Sequence, residues 1–243
     1  MQKNSDVEYI IIDGGSIDGS LGVISSNSSI IDLWVSEEDS GISNAFNKGV
    51  SKATGEYVLF LNADDFLGDD FISKFIDFYR NSPISDVYYS DLQSISSGLV
   101  TKAVVPCHND LGWKMSLYHP STIVRRSLLQ KYKFDESYKV AMDYRLFLKL
   151  CSMNTSFQYF VSNGVFFQRG GVSTGSKKNI LKGYLEMLRA QADCSSLSLR
   201  GVLYILSLSL SLYLGPARFS KIHKILVLPL RLIKKILTTL SSV

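Results

Sequence analysis

The sequence predicts an α/β fold: a mainly parallel sheet flanked by helices, followed by a helical tail. Three observations predict it. Apolar runs of strand length at 7–12, 30–35 and 56–62 each end in polar loop residues. Between them, residues 42–53 and 71–79 repeat apolar side chains at helical spacing. The connections are short, so strands and helices alternate as they do in a parallel sheet covered on both faces. A chain of 243 residues, 46% of them hydrophobic, is enough for one large domain or a domain with an appendage.

The first strand, Val7–Ile12, is β-branched and ends in Asp13-Gly14-Gly15-Ser16-Ile17-Asp18-Gly19-Ser20. This turn is not a dinucleotide fingerprint, because Ser16 stands where the second glycine of G-x-G-x-x-G belongs. Asp13 is placed to bind a base or ribose, or to hold the amides of its own turn. A short helix opens at Leu21. The second strand, 30–35, leads through Ser36–Gly41 to a helix whose apolar stripe is Ile42, Ala45, Phe46, Val50 and Ala53, with Ser40 as its N-cap.

The chain is organised around the third strand. Tyr57 to Leu61 are apolar and stop at Asn62-Ala63-Asp64-Asp65. That is the pattern of a buried parallel strand delivering polar groups at its C-terminal end, where open α/β sheets place ligands. Two adjacent carboxylates repel, which suits a hard divalent ion holding a phosphate-bearing substrate. One of the pair serving as a helix cap is the bland alternative.

Beyond Pro83 the texture changes. Residues 86–92 and 99–105 form an expected hairpin, 126–132 a short helix, and 144–150 a helix opened by Asp143. Short strands follow at 157–161 and 165–168. A glycine-rich loop, 169–175, is of a kind able to close over substrate, and a helix spans 179–192.

Charge divides the chain. Residues 1–173 carry 15 Lys and Arg against 20 Asp and Glu, whereas residues 174–243 carry 11 against 2. The basic tail is rich in leucine and isoleucine and almost lacks aromatic residues after Tyr213, which fits an anionic membrane surface and not nucleic acid. Its apolar stretch from Gly201 to Ala217 has 17 uncharged residues, short of a bilayer span. Beyond Pro216, basic and apolar residues fall on separate faces, as in a helix lying in the interface plane. A helix docked on the body is the alternative. The division is therefore a globular domain over 1–195 and a membrane-associated tail over 196–243. Three cysteines without paired or metal-site spacing, and an N-terminus without a signal-peptide core, fit the cytoplasm.

With these segments on the page, the sequence resembles the inverting family-2 glycosyltransferases of the GT-A fold, most closely bacterial members that build surface polysaccharides. Ile10–Ser20 is similar to the family's strand and D-G-G-S-T-D-G-T turn, with Ile17 in place of threonine. Ser36–Gly49 is similar to S-E-x-D-x-G-I-x-x-A-x-N-K-G, and Ala53–Phe66 to A-T-G-E-Y-x-x-x-L-N-A-D-D followed by an aromatic. Tyr138–Leu150 resembles the segment carrying the family's catalytic carboxylate, and Gly170–Thr174 its G-G-V-S-T loop.

The resemblance implies transfer of a sugar from a nucleotide-diphosphate-sugar, by default a UDP-sugar, to a lipid-linked saccharide acceptor at the inner face of the cytoplasmic membrane. Asp64, in the D-x-D position, would bind Mg2+ or Mn2+, and Asp143 would be the general base. Asp13, Asp39, Lys48, Asn62 and Ala63 would line the nucleotide-sugar pocket, and His119, Gly171 and Ser173 the acceptor side. Asn62 replaces the first carboxylate of D-x-D, which removes one charged ligand. The family pattern also has an apolar strand ahead of the segment matching Val7–Ile12. Without it the sheet would lack a central strand, which implies a poorly stable chain with weak nucleotide binding. A non-catalytic binding module is the alternative reading. A nucleotidyltransferase would need a Gly- and Lys/Arg-rich phosphate loop that this sequence does not show.

Overall fold

The computed structural model describes residues 6–96, 99–168, 170, 171, 173 and 175–214. In chain order the first elements are β1 (Ile10–Asp13), α1 (Ser20–Ser26), β2 (Leu33–Ser36), α2 (Ile42–Lys52), β3 (Tyr57–Leu59), β4 (Phe66–Leu67) and α3 (Phe71–Asn81). Then come β5 (Val87–Tyr89), β6 (Leu92–Ser96), β7 (Leu99–Val104), β8 (Thr122–Arg125), α4 (Arg126–Tyr132) and α5 (Met142–Ser152). The last are β9 (Phe157–Tyr159), β10 (Val165–Gln168), α6 (Lys177–Asp193) and α7 (Leu199–Leu214). The basic segment 215–243 lies outside the described residues.

The α/β class holds, but the sheet is neither single nor mainly parallel. β1 and β2 pair in parallel as a separate two-stranded sheet. A second sheet runs β3-β8-β5-β9, antiparallel at β3/β8 and β8/β5 and parallel at β5/β9. The third runs β4-β10-β6-β7. The organising strand is therefore corrected in two respects. β3 is three residues long and half-buried, and it pairs antiparallel with β8 at the edge of its sheet. Sequence pattern registers an apolar run but not the direction of the neighbour it will pair with. Among the described strands, β1 and β3 lie in separate sheets.

The second sheet is covered on both faces, as alternation requires. Val87 and Tyr89 of β5 and Val124 of β8 face a large core built by α4, α5 and α6. Tyr88 and Ile123, one residue out of phase, face a smaller core with Phe71, Phe160 and Val165. Helix α5 is the hub of the larger core, with seven of its 11 residues buried, which makes the helix a rigid mount for Asp143 in its first turn.

The expected strand over 86–92 divides in two. β5 stays in the second sheet and β6 enters the third, where it forms the expected hairpin with β7. The switch is at Ser90, fully buried, whose amide donates to the Ser121 carbonyl and whose hydroxyl bonds that of Ser162. Ser40 does not cap α2. The N-cap is Gly41, whose amide donates to Asp39 Oδ1, while the Ser40 hydroxyl bonds Glu136.

Helix α7 packs on α6, and its Ile205 belongs to the large core. Arg200 lies over the Trp113 ring, 3.8 Å from its centroid. No helix among the described residues is long and apolar enough to cross a membrane.

Candidate active site

The residues singled out in the sequence collect into two groups bridged by α2. The first group surrounds the turn after β3. Asp64 and Asp65, adjacent in sequence, have opposite fates. Asp65 is buried: its Oδ1 accepts from the Gln168 amide at 2.9 Å and its Oδ2 from Asn62 Nδ2 at 3.0 Å. Burial pushes the Asp65 carboxyl above its ordinary range, against the opposing pull of those two donors. Asp64 is exposed, and among the described residues no donor reaches its carboxylate. Thus one carboxylate ties the turn to β10, and the other keeps its lone pairs.

Asn62 Nδ2 also lies 3.1 Å from His119 Nε2. The Asp65 carboxylate needs a donor, so the Asn62 amide must turn its NH2 toward this corner. His119 Nε2 therefore accepts, and Nδ1 carries the hydrogen that it donates to Asp143 Oδ2 at 3.0 Å. The remaining Asp143 oxygen, Oδ1, accepts from the Tyr144 amide at 2.8 Å. The His119 and Asp143 side chains are only 13% and 11% exposed, so this chain of contacts is largely shielded from water. Asp143 is not the N-cap of α5, a place taken by Ala141.

Gly171 closes this group from above. A Cβ there would stand 3.8 Å from Asp64 Oδ2, so Gly171 lies against the carboxylate. Ala63 and Ser173 are exposed nearby in sequence to Asp64 and Gly171 respectively. Neither makes a polar side-chain contact among the described residues, and Val172 and Thr174 lie outside them.

The second group lies at the end of β1. Asp13 Oδ2 accepts from the amides of Gly15 and Ser16 and from the Ser36 hydroxyl. The Ser16 hydroxyl, then that of Ser36, lead the donors that hold its pKa down to about 2. Of the two roles open to Asp13, holding the turn's own amides is the one seen here. Asp39 crosses onto this turn, so close that a Cβ on Gly14 would sit 2.6 Å from its Oδ2. Lys48 bonds the Glu38 carbonyl and pairs with Glu37 at 2.9 Å, along one flank of the same turn. Helix α2 joins the groups: Gly49 lies against Ile12 of β1, and Phe46 stacks on Phe60 and edges onto the His119 ring.

A metal ion fits the first group in one way. The described residues contain no cluster of three His, Cys, Asp or Glu side chains able to hold a cation by themselves. A single open carboxylate, Asp64, suits an ion such as Mg2+ that takes most of its shell from phosphate oxygens and water.

Sequence inspection missed one residue. Glu186, buried on α6, accepts from the amides of Lys139, Val140 and Ala141 at 2.8–3.1 Å, clamping the loop that leads into Asp143. The available signal was an acidic residue on the apolar face of α6, beside Gly183, Met187 and Ala190.

The sequence matches the profile of Glycosyl transferase family 2 over residues 1–132. The chain belongs to glycosyl transferase family 2. The matched span of this family-2 glycosyltransferase carries Asp13, Asp39, Lys48, Asn62, Ala63, Asp64 and His119, and ends before Asp143. An uncharacterized glycosyltransferase of Haemophilus influenzae is 28% identical over 188 residues, 73% of this chain and 73% of its own. A PGL/p-HBAD biosynthesis glycosyltransferase of Mycobacterium bovis is 30% identical over 131 residues, and the match spans only 51% of that relative's length. Among solved structures, S. aureus TarS 1-349 in complex with UDP-GlcNAc matches with TM-score 0.60 at 20% identity, over 85% of this chain and 63% of that one. The mannosyltransferase PcManGT from Pyrobaculum calidifontis, with GDP-Man and Mn2+, matches at TM-score 0.50 and 15% identity, over 88% of this chain and 68% of that one. These likenesses establish the fold, that of the GT-A glycosyltransferases, in which the strands here form mixed, divided sheets.

Proposed function

We propose that this family-2 glycosyltransferase moves a sugar from a nucleotide-diphosphate-sugar to a hydroxyl of a lipid-linked saccharide, with inversion, in the assembly of a bacterial surface polysaccharide. The observation that carries this reading is the Asn62–His119–Asp143 chain beside the open Asp64 carboxylate. It gives Asp143 an orientation set from two sides, by His119 and by the Tyr144 amide, as a general base needs.

In the reaction, the acceptor oxygen bonds to the anomeric carbon while its proton passes to Asp143. The bond from that carbon to the donor phosphate breaks, and its electron pair leaves with the nucleotide diphosphate. His119 holds Asp143 through Nδ1–H, and Asn62 holds His119. Asp64 would hold Mg2+ or Mn2+, which supplies charge neutralisation for the leaving diphosphate. Asp13, Asp39 and Lys48 would shape the nucleotide side, and Gly171 and Ser173 the loop over the sugar. TarS, solved with UDP-GlcNAc, supports a UDP-sugar, and PcManGT, solved with GDP-Man and Mn2+, supports the ion.

Metal-dependent release of nucleotide from a panel of sugar donors tests the proposal. Asp64→Ala and Asp143→Ala should each abolish transfer, and full activity in either variant removes its assigned role. A nucleotide-sugar-binding module without turnover is the second reading, and it is favoured by the burial of Asp143, both of whose oxygens already accept hydrogen bonds. Donor binding in calorimetry with no release of product would select it.

The tail, 196–243, would keep the enzyme on the inner face of the cytoplasmic membrane. An outward row on α7, Leu199, Leu203, Leu206, Leu210 and Tyr213, all exposed, supports this, as does the basic sequence that follows. Flotation with anionic vesicles should be lost when the chain is cut after Asp193.

A further inference from the structure

A stacked aromatic pair lies at the surface near the site, one ring exposed and the other half-buried. Phe66 of β4 is 50% exposed and stacks on Phe166 of β10, ring centroids 4.7 Å apart and planes 11° from parallel. The register places Phe66 opposite Phe166, and Phe166 opposite Gln93 of β6, so the three form one row on one face of the sheet. The other face of β10 is accounted for, since Val165 and Phe167 belong to the smaller core. Burial in the fold thus explains Val165 and Phe167 but leaves the Phe66 ring half in water. The row opens a cleft of about 340 Å³ whose polar rim is Gln93, Asn163 and Asp69. Gln93 is steadied by donating its Nε2 to the Asn163 carbonyl at 2.9 Å.

Flat apolar rings with amide and carboxylate groups at their edge suit a ligand that has an apolar face and a hydroxyl rim. A pyranose is such a ligand: its axial C–H groups lie on a ring face while its hydroxyls reach the amides. The cleft also adjoins the chemistry. Phe66 follows Asp64 by two residues, which bounds their Cα separation at about 7.6 Å. Gln168, two residues beyond Phe166, donates to Asp65, and β10 packs against the turn that carries His119.

We propose that the Phe66–Phe166 pair, with Gln93 and Asn163, is a binding platform for a neutral pyranose unit of the acceptor saccharide. The role as acceptor subsite rests on the sugar-transfer reading above, whereas the binding itself does not.

The test uses the full chain and a panel of methyl glycosides of glucose, galactose, mannose and N-acetylglucosamine as probes. Saturation-transfer NMR measures binding, and release of UDP from UDP-sugars without acceptor is followed in parallel. At least one methyl glycoside should bind through its ring protons. Phe66→Ala should weaken that binding about five-fold, in line with the worth of one aromatic contact. Phe66→Tyr should hold it within about two-fold, because the ring face is kept. Donor hydrolysis and the thermal midpoint should be unchanged in both variants. No glycoside binding to the wild-type chain, or equal binding by Phe66→Ala, overturns the platform. So does a change in sedimentation on Phe66→Ala without a change in glycoside binding, which would make the pair a self-association surface. Glycoside binding with no donor hydrolysis in any form would instead sink the transfer reading and leave the platform standing.

Discussion

The two sides of the site are mounted on different kinds of structure. Asp13 ends a two-stranded sheet whose second strand leaves Leu33 37% and Trp34 41% exposed. Asp143 stands in the first turn of a helix that is the hub of the large core, and the loop before it is clamped by Glu186. The Asp13 turn is therefore held by local hydrogen bonds, and Asp143 by the packing of its helix in the core. Cooperative burial makes a region open only with global unfolding, whereas a thin, exposed layer can open by itself. A firmly mounted Asp143 and a thinly covered Asp13 turn are what the difference teaches, and under the proposed function they would be a rigid base and an adaptable donor pocket.

The largest effect should come from Asp143, the proposed base. Asp143→Asn is expected to lower kcat by about 100- to 10,000-fold with donor KM little changed. Asp13→Asn should act chiefly on donor KM. Steady-state kinetics on both variants check this, and an equal loss of kcat in Asp13→Asn would erase the distinction between the two sides.

Stability should divide in the same way. Phe147, 1% exposed in α5, should cost about 3–5 kcal/mol when cut to alanine. Val23, 65% exposed on α1, should change stability by no more than about 0.5 kcal/mol on the same substitution. Urea unfolding measures both. A large loss at Val23 would mean that the thin layer packs more tightly than its exposure implies.

Glu186→Leu sharpens the comparison from within the core. Three amides lose their acceptor, each costing about 1–3 kcal/mol if no water replaces it. Hydrogen exchange should quicken at 139–141 and stay unchanged at 10–16. Faster exchange in both places would show that the two sides open together.

The smallest effect concerns Asp13. Its pKa is depressed from 3.8 to about 2, so its stabilising hydrogen bonds are fully present above 3.8 and are lost as pH falls through about 2. Ser36→Ala should raise that pKa, read by NMR titration of the carboxyl. An unmoved pKa would leave the Ser36 hydroxyl without its assigned part.

Much of this was legible in the chain itself. The apolar stripe Ile42, Phe46, Val50 produced α2, and the run Arg126–Tyr132 produced α4, because helical spacing of apolar residues is a local property. The hairpin of β6 and β7 followed from two β-rich runs around a turn. The division of 86–92 was not legible: nothing local in Ser90-Asp91 reports that Ser121 and Ser162 will meet it from distant segments. Glu186 was overlooked for the same reason, since its partners lie 45–47 residues away.

The sequence alone determined the family, the order of most elements and the residue types at the site, because these depend on composition and spacing along the chain. The tertiary structure decided how those residues are used. It separated Asp64 from Asp65 by burying one and leaving the other open. It turned Asn62 toward His119 and His119 toward Asp143, across 57 and 24 residues. It also reversed the expected direction of the neighbour beside β3 and divided the sheet. Strand direction, burial and hydrogen-bond partnership are settled between segments remote in sequence, by which arrangement satisfies the most buried polar groups and covers the most apolar surface.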